Sequence, residues 1–187
     1  MNDQNLVELV QKSRNGDSQA MEMLVKSCQP IAFKLALSIL DDPAEADDAA
    51  QDALIQAIRA IPSYRAEASF RTWFYRIIIN NCLGKLRKRR TRERLQKFLT
   101  DVFRHSPRDD TQPEKQTIQA ENTDQIIRLV NGLDPNYRLP IVLRYYQELP
   151  IAQIAEIMQL STRTIHTRLK QAHDLIRQSI GETDVID

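Results

Sequence analysis

Apolar side chains recur every three to four residues along most of the chain, which is the period of an α-helix. No stretch of useful length alternates apolar and polar residues as a β-strand does. The first predicted helix covers residues 4–14 and ends at the Asn-Gly-Asp turn of 15–17. We expect Ser18 to cap a second helix and Pro30 to lie near the start of a third. The pattern therefore predicts an all-α protein.

A further helix is predicted over residues 44–60, because the Asp-Asp-Pro sequence of 41–43 marks a break and a helix start. Its alanines and leucine repeat on one side. Asp48, Gln51 and Asp52 are spaced i, i+3 and i+4, so they lie side by side. Carboxylates and an amide in this arrangement can accept hydrogen bonds from arginines of a partner helix. We interpret them as a protein-docking surface.

The segment SFRTWFYRIIINNCLGKLRKRR at residues 69–90 places aromatic side chains before a run of five cations in six residues. It is predicted to form a helix from Phe70 to about Arg90. A core helix needs the aromatic residues and a solvated helix needs the cations, whereas a surface that stacks on bases and holds phosphates needs both. The three isoleucines at 77–79 cannot share one face, so this helix is expected to pack on two sides.

The helical pattern fades from about Glu93 and returns near residue 122. Between these points, SPRDDTQPEKQ at 106–116 has two prolines, clustered charge and no apolar residue, which is typical of a flexible linker. We therefore predict two small helical domains, over residues 1–95 and 122–187, joined by a flexible linker over residues 96–121.

The C-terminal domain contains LPIAQIAEIMQLSTRTIHTRLKQA at residues 149–172, a pattern that indicates a helix-turn-helix. Pro150 suits the first turn of one helix, and Ser161 is a good cap for the next. The second helix would leave polar and cationic side chains outward, where they can reach base edges and phosphates in the major groove. An ordinary helical hairpin shares this pattern, and the turn lacks glycine. The second helix is expected to bury Ile165, Leu169 and Ala172.

The net charge of +1 conceals an uneven distribution of charge. Residues 1–62 carry a net −5 and residues 63–97 a net +9. The net charge is −3 over residues 98–126 and 0 over residues 127–187. An acidic block beside a basic block suggests two different partners, and a basic cluster of this density typically binds nucleic acid.

Neither a catalytic nor a metal site is predicted. Cys28 and Cys82 are far apart and match no metal spacing, and the three histidines are scattered. Because no Gly-rich phosphate loop or nucleophile–base pair occurs, we expect neither an enzyme nor a cofactor. The chain has no run of 18 apolar residues and no signal-peptide order, so we expect a cytosolic protein. A Cys28–Cys82 disulfide or redox switch stays open as a minor alternative.

Three motifs, in this order, resemble those of a bacterial alternative sigma factor of the extracytoplasmic-function (ECF) type. AEADDAAQDAL resembles the acidic helix that grips the clamp helices of RNA polymerase, which implies polymerase binding by Asp48, Gln51 and Asp52. SFRTWFYRIIINN with RKRR resembles the helix that melts and reads the −10 promoter element. IAQIAEIMQLSTRTIHTRLKQA, preceded by LDPNYRLPIVLRYYQEL, resembles the helix-turn-helix that reads the −35 element.

The resemblance also implies residues for the −10 element. The loop Tyr64–Ser69 would supply a pocket for an extruded base, and the helix after it would face promoter DNA. Phe70, Phe74 and Ile77 fit the packed side, and Trp73 could equally be a core residue. Phosphate binding by the cations would add a salt-dependent contribution. The residues expected to contact −10 DNA are Tyr64, Arg65, Ser69, Trp73, Tyr75, Arg76, Asn80, Lys85, Arg87 and Lys88.

For the −35 element, the resemblance implies contacts from the second helix of the helix-turn-helix. Arg163 stands where the family usually has glycine, and Gln171 where it often has a basic residue. Arg168 could bind a phosphate or pin the helix to its own domain. The expected −35 residues are Arg163, Thr164, His166, Thr167, Arg168, Lys170 and Gln171.

The partners implied are core RNA polymerase, through its clamp and flap regions, promoter DNA and an anti-sigma factor that covers the polymerase-binding faces. Membrane insertion is not expected, and the free chain would be a monomer. The alternative is a helix-turn-helix repressor or activator that acts without polymerase, as a homodimer on a palindrome. It explains residues 149–172 equally well, but not the aromatic and basic cluster outside them.

Overall fold

The computed structural model describes residues 3–103 and 118–183, with side chains over 5–96 and 125–180, and these parts of the chain are helices with short connections. A 3-10 turn (Ile61–Ser63) follows the third helix, and a π-helical turn (Val142–Tyr146) follows the sixth. The all-α prediction is confirmed. The helices are α1 (Asp3–Arg14), α2 (Ser18–Leu40), α3 (Pro43–Ala60), α4 (Phe70–Phe103), α5 (Ile118–Gly132), α6 (Pro135–Ile141), α7 (Ile151–Met158) and α8 (Thr162–Thr183).

The second helix differs from the prediction at Pro30 and at its N-terminal cap. Pro30 lies inside α2 and does not start a new helix, because the apolar stripe continues on the same face beyond it. Its ring removes one backbone donor without ending the helix. The cap is Asp17, whose side chain accepts a hydrogen bond from the Ala20 amide at 3.0 Å. Ser18 is the first helical residue and not the cap, so that prediction was wrong.

Helix α2 is the core helix of the N-terminal domain. By length and composition alone α2 could cross a membrane. One face of it, however, packs against α1, α3 and α4 in the core, and the core helix of a soluble domain has the same composition. We therefore interpret α2 as a core helix. Its buried residues are Ala20, Leu24, Cys28, Ala32, Leu35, Ala36, Ile39 and Leu40.

Small side chains bring α3 close to α2, since the buried face of α3 is almost entirely alanine. Helix α4 packs on both α2 and α3 and inserts Phe74, which is 1% exposed. The prediction that the three consecutive isoleucines would be packed on two sides is confirmed, because Ile78 and Ile79 are buried and Ile77 is half-buried. The packing leaves one face of α3 and the loop before α4 in solvent.

The fourth helix is longer than predicted, because α4 continues to Phe103. Helix α5 likewise begins at Ile118, before the predicted boundary at 122. The range 96–121 is therefore too wide for the linker at both ends. Residues 104–117 lie outside the described residues, and their assignment as a flexible linker stays a prediction. The apolar residues that continue the helical spacing beyond the cationic run are Leu95, Phe98, Leu99 and Val102.

The C-terminal domain is built around α8, which packs against α6 and α7. Ile165, Leu169 and Ala172 are buried, as predicted. In the turn between α7 and α8, Gln159 adopts the left-handed backbone conformation with φ 54°, which glycine usually supplies. The helix-turn-helix therefore forms without a glycine in its turn. Helix α7 also packs against α4, so the two domains touch.

Candidate nucleic-acid and protein-binding surfaces

The residues predicted to dock a protein partner lie on the solvent side of α3. Asp42 accepts a hydrogen bond from the Glu45 amide at 2.8 Å, and Pro43 occupies the first turn, so the start of α3 is well defined. Because the alanine face is buried, the rotation of the helix about its axis is set as well. We call the outward residues the acidic face, and these are Asp48, Gln51 and Asp52, all exposed.

Two neighbours extend the acidic face and were missed in the sequence. The Gln51 side-chain amide donates a hydrogen bond to the Asp47 carboxylate at 2.7 Å. Ile55 lies one turn after Gln51 and is 47% exposed. An exposed apolar side chain within a polar surface is typical of the centre of a protein interface. The i+4 spacing from Gln51 to Ile55 was the available sequence signal.

The predicted base-pocket loop, Tyr64–Ser69, borders a cavity of about 220 Å³. Tyr64 and Arg65 line this cavity together with Trp73 and Arg76 from α4. An extruded base is held by stacking on aromatic rings and by hydrogen bonds, which guanidinium groups can donate. Ser69 does not line the cavity.

The conformation of this loop is held by its own hydrogen bonds. The Tyr64 hydroxyl donates to the Ala68 carbonyl, and burial raises the pKa of Tyr64, so its phenol stays protonated. Ser69 Oγ accepts a hydrogen bond from the Thr72 amide at 3.2 Å and caps α4. Between them Ala66 has a φ of 58°, a left-handed conformation that is strained for a residue with a Cβ. Because it caps α4, Ser69 holds the end of the loop in place and so positions the loop around the cavity.

Trp73 is half-buried and belongs to both the core and the cavity. Its ring centroid lies 5.1 Å from that of Tyr64 and 5.4 Å from that of Phe70. The ring packs on the core and also lines the loop cavity. Phe70 and Phe74 are buried, as expected for the packed side. Trp73 is therefore anchored in the core, while part of its ring stays accessible at the loop cavity.

The next predicted −10 residues lie against the C-terminal domain. Tyr75 is 5% exposed, and its hydroxyl donates to Gln147 Oε1 at 3.1 Å. Arg76 donates to the Glu156 carbonyl oxygen, from Nη2 at 2.8 Å and from Nε at 3.2 Å. Asn80 is exposed at a cavity of about 280 Å³ between the two domains.

The cations that follow differ in their surroundings. Lys85 Nζ lies 3.5 Å from Asp48 Oδ2, so a predicted phosphate-binding residue is paired with a residue of the acidic face. Arg87 and Lys88 are exposed on the next turn. The exposed cations can reach a phosphate directly, whereas Lys85 would first have to leave Asp48.

The predicted −35 residues lie on the first turns of α8, which Ser161 caps by accepting a hydrogen bond from the Thr164 amide at 3.0 Å. The Thr167 hydroxyl donates to the Arg163 carbonyl at 3.0 Å. Arg168 is half-buried and lines the cavity between the domains. The exposed residues of the set are Arg163, His166, Thr167, Lys170 and Gln171, and the half-buried ones are Thr164 and Arg168.

An open groove of about 540 Å³ continues this surface and was missed in the sequence. Tyr145, on the π-helical turn, is 59% exposed, and its ring centroid lies 5.6 Å from that of His173. The spacing of 166, 170, 173 and 177 along α8 was the available sequence signal. The polar residues of the groove include Arg144, Tyr145, His166, Lys170, His173 and Arg177.

In the parts of the chain that the structure describes, no group of His, Cys, Asp or Glu side chains is arranged to hold a metal ion. Cys28 and Cys82 are both buried, free thiols. Burial raises the pKa of each thiol to about 12.

Comparison with known proteins identifies the family. The family described as Sigma-70 region 2 matches residues 24–92, and that described as Sigma-70, region 4 matches residues 123–173. The RNA polymerase sigma-H factor of Pseudomonas aeruginosa is 32% identical over 95% of this chain and 93% of its own length. The ECF RNA polymerase sigma-E factor of Haemophilus influenzae is 31% identical over 96% of each chain. The chain belongs to the ECF family of RNA polymerase sigma factors.

As an ECF sigma factor, the protein binds core RNA polymerase and directs it to promoter DNA. Sigma factors are not enzymes. Because the region 2 match covers α3 and most of both α2 and α4, a helix-turn-helix repressor that acts without polymerase is not favoured.

A solved structure shows the same fold. The sigma factor RpoE of Bartonella quintana, in complex with the anti-sigma factor NepR, superposes with a TM-score of 0.62 at 19% identity. The superposition covers 86% of this chain and 96% of that chain. Two small helical domains with a C-terminal helix-turn-helix are therefore the architecture of this protein.

Proposed function

We propose that the acidic face docks this sigma factor on the clamp of core RNA polymerase. The observation that carries the proposal is the presentation of Asp48, Gln51 and Asp52 toward solvent from a helix whose other side is buried. Carboxylates accept charge-assisted hydrogen bonds from arginine, and Ile55 adds apolar area at the same surface. The C-terminal domain docks near the flap of the polymerase.

The loop cavity takes an extruded base of the −10 element. Unstacking a base pair costs a few kcal/mol, and stacking on aromatic side chains returns about 1–3 kcal/mol per base. Tyr64, Arg65 and Trp73 form the pocket, which Ser69 positions. Along α4 the strand would continue over Tyr75, Arg76 and Asn80. Its phosphates are held by Lys85, Arg87 and Lys88, which makes the binding salt-dependent.

The exposed side of α8 reads the −35 element in the major groove. Base edges can be read by the side-chain amide of Gln171, the imidazole of His166 and the ammonium group of Lys170. The guanidinium group of Arg163 suits a phosphate. Thr164 and Thr167 lie on the same turns, with their hydroxyls engaged by the helix itself. Arg168 is the exception, since it lines the cavity between the domains and serves the internal packing in this arrangement.

The protein acts as a monomer in the bacterial cytoplasm, without a cofactor and without covalent chemistry of its own. The polymerase carries out the chemistry of RNA synthesis. An anti-sigma factor that covers the polymerase-binding faces holds it inactive, a proposal supported by the structural relative solved with the anti-sigma factor NepR.

The docking proposal is tested by co-elution with bacterial core RNA polymerase on a sizing column in moderate salt. The wild-type chain should co-elute, and the Asp48→Arg, Asp52→Arg variant should not. Glu8→Arg, Glu22→Arg is the matched control, because it reverses two exposed carboxylates on α1 and α2 and changes the net charge equally. The control should co-elute like the wild type.

Two results would overturn the docking proposal. One is equal co-elution of both variants, which would mean that the acidic face is not the dock. The other is a wild-type chain that runs as a dimer, shifts DNA alone and does not bind polymerase. Circular dichroism of each variant establishes that the helices are intact.

A further inference from the structure

The groove of about 540 Å³ between the π-helical turn and α8 is not used by the function proposed above, and we call it the α8 groove. His166 and Lys170, which are assigned to the −35 element, both line it. His173 and Arg177 continue the same line along later turns of the helix, at intervals of three to four residues. The α8 groove is therefore continuous with the proposed −35 surface.

The charges of the α8 groove suit a phosphate. Its permanent cations are Arg144, Lys170 and Arg177, and the carboxylate among the described residues that line it is Asp174. Asp174 Oδ1 lies 3.8 Å from Arg177 Nη1, so this carboxylate already has a cationic partner. Arg144 Nη1 donates to the Leu149 carbonyl at 3.0 Å, which holds a guanidinium with five N–H donors at the groove. The cations outnumber the carboxylate, so the groove attracts an anion.

Two imidazoles give the α8 groove a charge that can change. His166 and His173 are both exposed, and their separation of seven residues places them about two turns, or roughly 10 Å, apart along α8. The Tyr145 ring lies 5.6 Å from the His173 ring, measured between centroids, and keeps this imidazole at the groove. A neutral imidazole has one N–H donor, whereas a protonated imidazole has two donors and a positive charge. Histidine is the side chain that ordinarily changes charge between about pH 5 and 8.

The groups that face the imidazoles come from the π-helical turn, from α7 and from α8 itself. Helices α5 and α6 also pack on α8 but do not line the groove. A DNA phosphate in the groove would add a negative charge beside the imidazoles, and a nearby negative charge favours the protonated form. The facing residues are Arg144 and Tyr145 from the π-helical turn, Ile151 from α7, and Lys170, Asp174 and Arg177 from α8.

The position of the α8 groove on the helix places it at the DNA backbone. In a helix-turn-helix, the N-terminal residues of the second helix contact base edges. In α8 these turns begin at Thr162, whereas His173 and Arg177 lie about three to four turns later. At least half of the hydrogen bonds between proteins and DNA go to phosphate and sugar oxygens. The later turns of α8, beside the π-helical turn, are therefore suited to phosphates next to the bases that the first turns read.

We propose that the α8 groove binds phosphates of the duplex that carries the −35 element, and that His166 and His173 take up protons on binding. The proposal deepens the function proposed above and rests on the assignment of α8 to the −35 element. Each proton converts an imidazole into a cation with two N–H donors for a phosphate or a base edge. Because the complex holds more protons than the free chain, DNA affinity rises as the pH falls and decreases as the pH rises. Acidification towards pH 6 therefore strengthens promoter binding by this sigma factor.

The test measures the affinity of the free full-length chain for a labelled DNA duplex of mixed sequence, about 30 base pairs long, by fluorescence anisotropy. The pH is varied from about 8 to about 6 at one low ionic strength, so that the contribution of the permanent cations stays constant. His166→Gln, His173→Gln removes both imidazoles, and His173→Lys replaces one of them with a permanent cation. His105→Gln is the matched control, because it removes the third histidine, which lies outside the described residues in the predicted linker.

From about pH 8 to about pH 6, the affinity of the wild-type chain should rise about 3- to 10-fold, since uptake of one proton changes a binding constant by at most about tenfold per pH unit. The control His105→Gln should show the same rise. The double glutamine variant should change by less than about 2-fold over this range, because its groove no longer takes up protons. At pH 8, His173→Lys should bind more tightly than the wild type, because its cation requires no added proton.

The proposal is overturned if the double glutamine variant keeps the wild-type rise, if His105→Gln loses it, or if His173→Lys binds more weakly than the wild type at pH 8. Both substituted positions of the groove are exposed, and thermal unfolding at each pH shows that every variant is folded. Failure of the function proposed for α8 would be seen separately. Lys170→Ala would then leave the affinity unchanged at every pH, whereas failure of the proton uptake alone would leave Lys170→Ala weakened and the rise intact in the double variant.

Discussion

At the scale of single residues, burial decides which side chains can act on a partner. Trp73 and Tyr75 are close neighbours on α4, yet Trp73 lines the loop cavity whereas Tyr75 is covered and bonded to Gln147. Burial raises the pKa of Tyr75, so its phenol remains a hydrogen-bond donor. The two aromatic rings therefore differ in their accessibility, which their residue types alone do not indicate.

The two cysteines are expected to be inert in the folded protein. Burial raises the pKa of Cys28 and of Cys82 to about 12, and the thiolate is the reactive form of the side chain. At pH 8, only about one thiol in 10⁴ would be ionised. A colorimetric disulfide reagent should react slowly with the native protein and rapidly with both thiols in denaturant. Prompt reaction of either native thiol, or a Cys28–Cys82 disulfide after mild oxidation, would contradict this and favour a redox switch.

At the scale of elements, α3 shows how a helix presents a surface. Alanines on one side let it approach α2 closely, and this burial sets the rotation that turns the acidic face outward. The start of the helix is set by Asp42, which caps the Glu45 amide. The stability of α3 and the presentation of the acidic face therefore have a common origin.

Removal of the α3 cap should destabilise the domain. Asp42→Ala leaves the Glu45 amide without its side-chain acceptor and should lower the free energy of unfolding by about 0.5–2 kcal/mol. Asp52→Ala is the control, because it removes the same charge from an exposed position of the same helix. It should change stability by no more than about 0.5 kcal/mol. Urea unfolding followed by circular dichroism measures both, and equal losses would mean that the cap contributes nothing beyond its charge.

At the scale of the whole molecule, ion pairs link segments with different proposed roles. Lys85 joins the cationic run to Asp48 of the acidic face. Arg90, later in the same run, lies 3.2 Å from Asp134 of the C-terminal domain. Lys85 is therefore shared between an internal partner and a proposed phosphate contact, whereas Arg90 links the cationic run to the C-terminal domain.

Asp134 should give the stability of the folded protein an acid dependence. Hydrogen bonds from the Asn136 amide at 2.9 Å and from Arg90 at 3.2 Å lower the pKa of its carboxyl below the ordinary 3.8. A carboxyl whose pKa is lowered by folding stabilises the protein above its unfolded pKa. That stability is lost as the pH falls through the lower, folded pKa. The stabilisation should thus be complete at neutral pH and decline below about pH 4.

Asp134→Asn is the variant that tests this, because asparagine can still cap α6 while the charge is removed. The free energy of unfolding is measured in urea from about pH 7 to about pH 2. The wild type should be more stable at neutral pH, and the two curves should converge in acid. Parallel curves would show that the Asp134 charge makes no contribution.

Several elements could be predicted from the sequence because their signals are local. The Asp-Asp-Pro break, the Ser161 cap and the buried stripe of α8 depend on residues within a few positions of one another. Pro30 does not start a helix as predicted, since a proline inside a helix is tolerated when tertiary packing favours continuation on both sides. The extension of α4 beyond residue 95 was missed because charged residues interrupt a sparse apolar repeat.

The sequence by itself determined the all-α class, the helix-turn-helix, the acidic face of α3 and the aromatic and cationic order of α4, because periodicity and spacing along one helix specify them. Only the tertiary structure decided which of those residues are accessible. Tyr75 meets Gln147 across 72 positions of sequence, and Arg76 meets Glu156 across 80. Tyr145 likewise joins His173 in one groove. Such contacts depend on how separate helices pack, and no local pattern specifies them.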